Sequence, residues 1–122
     1  MHNFKELKVW QKAVDLSVEV YKLTSPFPKE ETFGLRAQVR NAAVSIASNI
    51  AEGAGRNGVK EFLHFLSIAN GSANEVETQL IVAYKLNYIT EEQLNFKQTE
   101  LTELRKMIFA FSNRIRPQNN EE

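Results

Sequence analysis

Apolar residues recur at intervals of three and four along nearly the whole chain, the spacing of a helix face, and Pro and Gly cut the pattern into four segments. The first predicts a helix from Phe4 to Thr24, stopped by Ser25-Pro26-Phe27-Pro28, whose two prolines remove backbone donors and disfavour the α region before them. The second runs from Lys29 to Glu52, with Glu30 and Glu31 at the positive end of its dipole and Gly53-Ala54-Gly55 as its stop. A third begins after Asn57-Gly58 and reaches Asn87 on a stripe that includes Phe62, Leu66, Ala69, Ala73, Val76 and Leu80. Asn70-Gly71 lies inside it and by itself would signal a hairpin turn. The stripe keeps phase on both sides, so Gly71-Ser72-Ala73 reads instead as a close helix–helix crossing. The fourth opens on Thr90-Glu91-Glu92-Gln93, a capping-box pattern, and continues through Leu94, Leu101, Leu104, Ile108 and Phe111 to Pro117. Four helices of ~20 to 28 residues with short connections give an all-α, antiparallel up-down-up-down bundle some 30 to 40 Å long. It forms one domain over residues 4–116, with 117–122 as a frayed tail.

Helix 1 carries more apolar surface than one core face can use. Leu7, Trp10, Val14, Val18 and Tyr21 fall on one stripe, and Val9, Ala13, Leu16, Val20 and Leu23 on another about 140° away. One stripe faces the core; the other is a contiguous patch of the kind that marks an interaction site. We assign Val9, Ala13, Leu16, Val20 and Leu23 to an oligomer interface, whose burial is worth on the order of 5 to 10 kcal/mol before association costs. The alternative is a helix 1 lying across two others, with both stripes internal.

At 122 residues without a single Cys, the chain is long enough to bury a core without staples and offers neither disulfide nor thiolate metal site. The 43% of hydrophobic and 25% of charged residues describe a packed globule, and 15 basic against 15 acidic residues give no whole-molecule field that would favour a polyanion. No apolar run approaches the ~18 residues of a membrane helix, and the start lacks the basic-then-apolar order of a signal peptide, so a cytoplasmic address without membrane contact is expected.

Candidate chemistry is sparse. Ser45, Ser48, Asn49, Glu52 and Arg56 line up opposite the apolar face of helix 2, and Ser72 and Glu75 hold a comparable lateral position on helix 3. They form either a polar pocket containing Glu52, Glu75 and Asn49 or a hydrogen-bonded seam that fixes helix register. Ala42, Ala43, Ser45, Ala47, Ser48 and Ala51 are small enough to let a neighbouring backbone come close. Glu61-Phe62-Leu63-His64 matches half of a di-iron motif, but the other histidine, His2, lies beside the terminus and cannot supply the second copy. The glycine-rich stretch Gly53–Gly58 lacks the lysine-hydroxyl pair of a phosphate loop, and no nucleophile–base–acid triad can be assembled. No cofactor, metal, small-molecule substrate or catalytic residue is therefore assigned. For a nucleic-acid partner the candidates are Lys5, Lys8 and Lys12 on helix 1, Arg36 and Arg40 on helix 2, and Arg56 and Lys60 at the connection to helix 3, although interspersed carboxylates fit a solvated mixed-charge face equally well.

Three runs together resemble one known family. They are Phe4-Lys5-Glu6-Leu7-Lys8-Val9-Trp10, the segment from Ser45 through Asn49, Glu52, Gly53 and Gly55 to Arg56, and the segment from Phe62 through Gly71, Ser72 and Glu75 to Glu77. The chain is similar to the four-helix-bundle proteins associated with intervening sequences in bacterial 23S rRNA genes, also called ribosomal protein S23-like. The resemblance implies a ring-like homopentamer, no enzyme activity, and kinship with the nucleic-acid-binding accessory protein of diversity-generating retroelements. It transfers Ser45, Ser48, Asn49, Glu52, Gly53, Gly55, Arg56, Gly71, Ser72 and Glu75 as a signature with a structural or assembly role. Two departures stand out: Ala47 replaces a frequent proline, and the net charge of zero contrasts with the basic accessory proteins. The expected function is a non-enzymatic, homo-oligomeric scaffold with RNA or DNA as its partner, or alternatively a scaffold for proteins alone.

Overall fold

A computed structural model describes residues 2–117; the tail residues 118–122, expected to fray, lie outside them. The helices are α1 (Lys8–Thr24), α2 (Leu35–Ala54), α3 (Val59–Lys85) and α4 (Glu91–Ile115), and the described residues contain no strand. Each helix packs antiparallel on the next and α4 closes against α1, with α2 and α3 forming the most extensive pair. Val20, Val39, Ile46, Ile50, Leu66, Val76, Leu80, Leu101 and Leu104 form the fully enclosed centre.

The first two helices start later than their spacing predicts. Phe4–Glu6 is a separate 3-10 turn capped by Asn3 Oδ1, and Leu7 is extended before α1 begins. That break folds Phe4 back onto Trp10, ring centroids 5.1 Å apart. Lys29–Glu31 is likewise a 3-10 turn, and Gly34, with φ −107° and ψ −118°, interrupts the chain before α2. Glu31 explains the interruption. One of its carboxylate oxygens accepts from the Leu35 backbone N–H at 2.8 Å, satisfying a free donor of the first turn of α2, and the other accepts from the Tyr88 hydroxyl at 3.0 Å. A Cβ at position 34 would stand 2.6 Å from that capping oxygen, so glycine leaves the cap its space. The prolines around Phe27 also have a packing purpose: they drop its ring into the core against Tyr88.

The third helix runs unbroken through Asn70-Gly71, as the phase of its stripe predicts. It ends two residues before Asn87, which takes the left-handed conformation at φ 64°. Asn87 N–H donates to Tyr84 and Tyr88 N–H to Ala83, each at 2.9 Å, closing the helix end with a Schellman-type pair of bonds. The expected capping box of α4 is present in both halves: Thr90 Oγ1 accepts from Gln93 N–H at 3.1 Å, and Gln93 Oε1 from Thr90 N–H at 2.9 Å.

Helix 1 requires a correction. Val9, Ala13, Leu16 and Val20, assigned above to an oligomer interface, are the core stripe, exposed by 4% or less within one chain, and Leu23 is half-buried beside them. Ser17 lies in the same stripe, its Oγ 3.0 Å from the carbonyl oxygens of Ala13 and Ala43, which ties α1 to α2 across the core. The stripe turned outward is the other one, Trp10, Val14, Val18 and Tyr21.

Candidate functional site

The signature residues separate into three groups. Ser45 Oγ and Ser72 Oγ lie 2.9 Å apart between α2 and α3, and the Asn49 side-chain amide donates to both the Ser45 carbonyl, at 2.8 Å, and its hydroxyl, at 2.9 Å. This is a register-fixing seam, because every polar atom named in it has its partner inside the helix pair. Glu52 and Glu75 do not join it. Glu52 turns to the end of α2, where it holds Arg56 at 2.8 Å, while Glu75 is exposed. The proposed pocket of Glu52, Glu75 and Asn49 is therefore not formed.

Gly53 is the second group. It is buried in the last turns of α2, and a Cβ there would come within 2.8 Å of both the Phe62 ring and Phe65 Cβ. Only a hydrogen fits where α2 and α3 meet. Gly71 is the opposite case: it is exposed with nothing within 4 Å of its Cβ position, so the close crossing expected at Gly71-Ser72-Ala73 is made by Ser72 and Ala73 alone. The third group, Ser48 and Gly55, faces outward.

Most of the candidate phosphate-binding cations are already engaged. Arg36 donates through Nε to the Thr24 carbonyl at 3.2 Å and reaches the Phe27 carbonyl and the Thr32 hydroxyl. Arg40 donates to Thr24 Oγ1 at 2.8 Å and to the Tyr21 carbonyl at 2.9 Å, and lies over the Tyr21 ring. Both arginines thus satisfy free carbonyls at the C-terminal end of α1 and the turn after it. Lys12 pairs with Glu103 at 2.8 Å; the hydrogen bond to Glu103 is the main reason its pKa is raised above the ordinary lysine value. Arg56 is held between Glu52 and Glu61 and over the Phe65 ring. Lys5, Lys8 and Lys60 are exposed and make no ion pair among the described residues. The antiparallel topology brings them to one end of the bundle, and Arg114 of α4 lines the same shallow groove as Lys8.

A wide groove between α1 and α2 is apolar. Trp10, Val14, Val18 and Tyr21 of α1, with Phe4 folded above them, face Val44, Ala47, Ser48 and Ala51 of α2 across a groove of about 640 Å3. Val18, Tyr21 and Val44 are 49%, 43% and 41% exposed, which makes this a continuous uncovered strip rather than scattered surface residues. The small residues of α2 floor it. Trp10 and Tyr21 carried a signal in the sequence: aromatic rings with a polar handle suit a half-wet surface, whereas the aliphatic stripe beside them suits a dry core.

Among the described residues no group of three or more His, Asp or Glu side chains converges as a metal site, and no helix is long and apolar enough to cross a membrane. Fold and surface together define an all-α antiparallel four-helix bundle whose distinguishing feature is an apolar groove between its first two helices. The chain belongs to the 23S rRNA-intervening sequence protein family, whose model matches residues 5–110. It is similar to a crystal structure of a protein of unknown function from the S23 ribosomal protein family of Bacteroides thetaiotaomicron, with a TM-score of 0.78 and 25% identity over 86% of this chain and 95% of that one. No curated protein matches the chain.

Proposed function

We propose that the protein is a non-enzymatic scaffold of the cytoplasm that assembles from copies of itself through the α1–α2 groove. The single observation that supports this is the apolar strip of exposed Val18, Tyr21 and Val44, continued by half-buried Trp10 and Val14. Burying such a strip against a second copy removes apolar surface from water, the dominant favourable term in association. A pentamer is the assembly implied by the family resemblance. Val18→Glu and Val44→Glu alter exposed side chains only, so each variant keeps the helical content of the parent by circular dichroism. Each is expected to sediment as a smaller species than the parent. An unchanged sedimentation coefficient for both variants counts against the groove as the interface.

Nucleic acid is the partner proposed for the assembled form, and the residues that support it are fewer than the seven candidates. Lys5, Lys8 and Lys60, with Arg114 nearby, form a basic end that a symmetric assembly would repeat, raising avidity with no new contact. Replacing Lys5, Lys8 and Lys60 by Glu is expected to abolish an RNA gel shift that weakens with salt. The internal engagement of Lys12, Arg36, Arg40 and Arg56 favours the second reading, a scaffold for proteins alone; absence of any shift at low salt selects it.

A further inference from the structure

The chain contains two Asn-Gly pairs, Asn57-Gly58 and Asn70-Gly71, and the fold treats them oppositely. We propose that Asn57 is a site of spontaneous backbone-assisted deamidation, with water as the only co-reactant, and that Asn70 is protected. The reaction needs the amide nitrogen of the following residue, stripped of its proton by solvent base, to attack the asparagine side-chain carbonyl carbon. The new C–N bond closes a five-membered succinimide as the side-chain nitrogen leaves as ammonia. Water then opens the ring at either carbonyl, giving aspartate or isoaspartate.

At Asn57 the conditions are met. Both residues are exposed in the connection between α2 and α3, and no described backbone or side-chain group accepts a hydrogen bond from the Gly58 N–H. Gly58 has extended backbone, φ −127° and ψ 153°, and the space where its Cβ would stand is empty, so nothing crowds the ring. Gly71 is equally exposed and its Cβ position equally empty. Crowding therefore does not separate the two pairs; backbone geometry does. Gly71 lies within α3, where its N–H is committed to the carbonyl four residues back and helical geometry directs the Asn70 side chain toward the N-terminus, away from the Gly71 nitrogen.

The product changes the molecule's charge. Basic and acidic residues are equal in number, so one deamidation makes a neutral chain net negative, with the new carboxylate next to Arg56 and at the N-terminal end of α3, where a helix dipole favours an anion. The isoaspartate product also lengthens the α2–α3 connection by one backbone carbon.

Incubation of the intact native chain at mildly alkaline pH, followed by peptide mapping with mass spectrometry, tests the site. The expected result is exchange of amide nitrogen for oxygen at position 57 as a mixture of two isomeric acids, no change at position 70, and modification of both in a urea-unfolded control. Gly58→Ala, which the open space and extended backbone accommodate, is expected to abolish the change at position 57 in the folded chain. An unmodified Asn57 in the native chain over a period in which the unfolded control reacts overturns the proposal. So does equal reaction at Asn57 and Asn70 in the native chain.

Discussion

Gly53 and Gly55 stand two residues apart in the signature segment, yet they answer to different forces. At Gly53 an added methyl meets the Phe62 ring and Phe65 Cβ at 2.8 Å, closer than real Cβ contacts come, whereas at Gly55 the nearest atoms lie at an ordinary 3.6 Å. Alanine gains about 0.5–1 kcal/mol over glycine in helix propensity, and overpacking a core typically costs about 1–3 kcal/mol. Overpacking wins at Gly53, so Gly53→Ala is expected to lower the urea-unfolding free energy by about 1–2 kcal/mol, while Gly55→Ala leaves it nearly unchanged. Both glycines could be picked out of the sequence as unusual, but nothing in it says which one touches a neighbour, because that depends on where Phe62 and Phe65 of another helix arrive. The seam of Ser45, Asn49 and Ser72 was half legible in the same way: the polar face was visible, and its separation from Glu52 and Glu75 was not.

The four helices are held to one another by different means. α2 and α3 meet through small residues, but the contact between α1 and α4 is charged. Lys97, only 7% exposed, reaches Glu19 across the gap and Glu100 on its own helix, and Lys12 reaches Glu103 a turn and a half further along α4. Removing the Lys97 ammonium leaves two carboxylates facing one another, so Lys97→Ala is expected to cost about 1–3 kcal/mol, and Lys97→Met less because it keeps the aliphatic packing. The hydrogen bond from Lys97 lowers the Glu19 pKa below its ordinary value. A carboxylate with a lowered folded-state pKa adds stability above its unfolded value, and that contribution is lost as pH falls through the folded one. The urea midpoint of the parent should therefore drop on the acid side of the ordinary carboxylate range more steeply than that of Lys97→Ala. Equal slopes for the two proteins would show that the α1–α4 contact does not depend on this pair. Helix extents were legible where a local signal fixes them, as at the capping box of Thr90 and Gln93. The start of α2 was not, because its cap is a side chain, Glu31, held in place from another turn by Tyr88.

On the scale of the whole molecule, spacing alone specified four helices and their order, since a period near 3.6 interrupted by Pro and Gly admits little else. The choice between the two stripes of α1 was beyond it. Both are apolar and equally long, and the one that meets α2 and α4 also carries Ser17 and Thr24, polar residues that can be buried only because their hydroxyls find carbonyl partners inside the bundle. The outward stripe then joins Val44 of α2 to make the groove, a juxtaposition of two helices that no single segment displays. The candidate cations divide into engaged and unengaged only in the fold, for a related reason. A sequence shows Arg36 and Arg40 as a basic stripe, while the fold spends both on the end of α1.

Self-assembly through that groove is the claim on which scaffold, pentamer and nucleic-acid avidity all depend. Light scattering on dilute purified protein measures it directly. The predicted result is a particle of several chains, five if the family resemblance holds, that survives dilution; a well-behaved 13.9 kDa species would contradict the account.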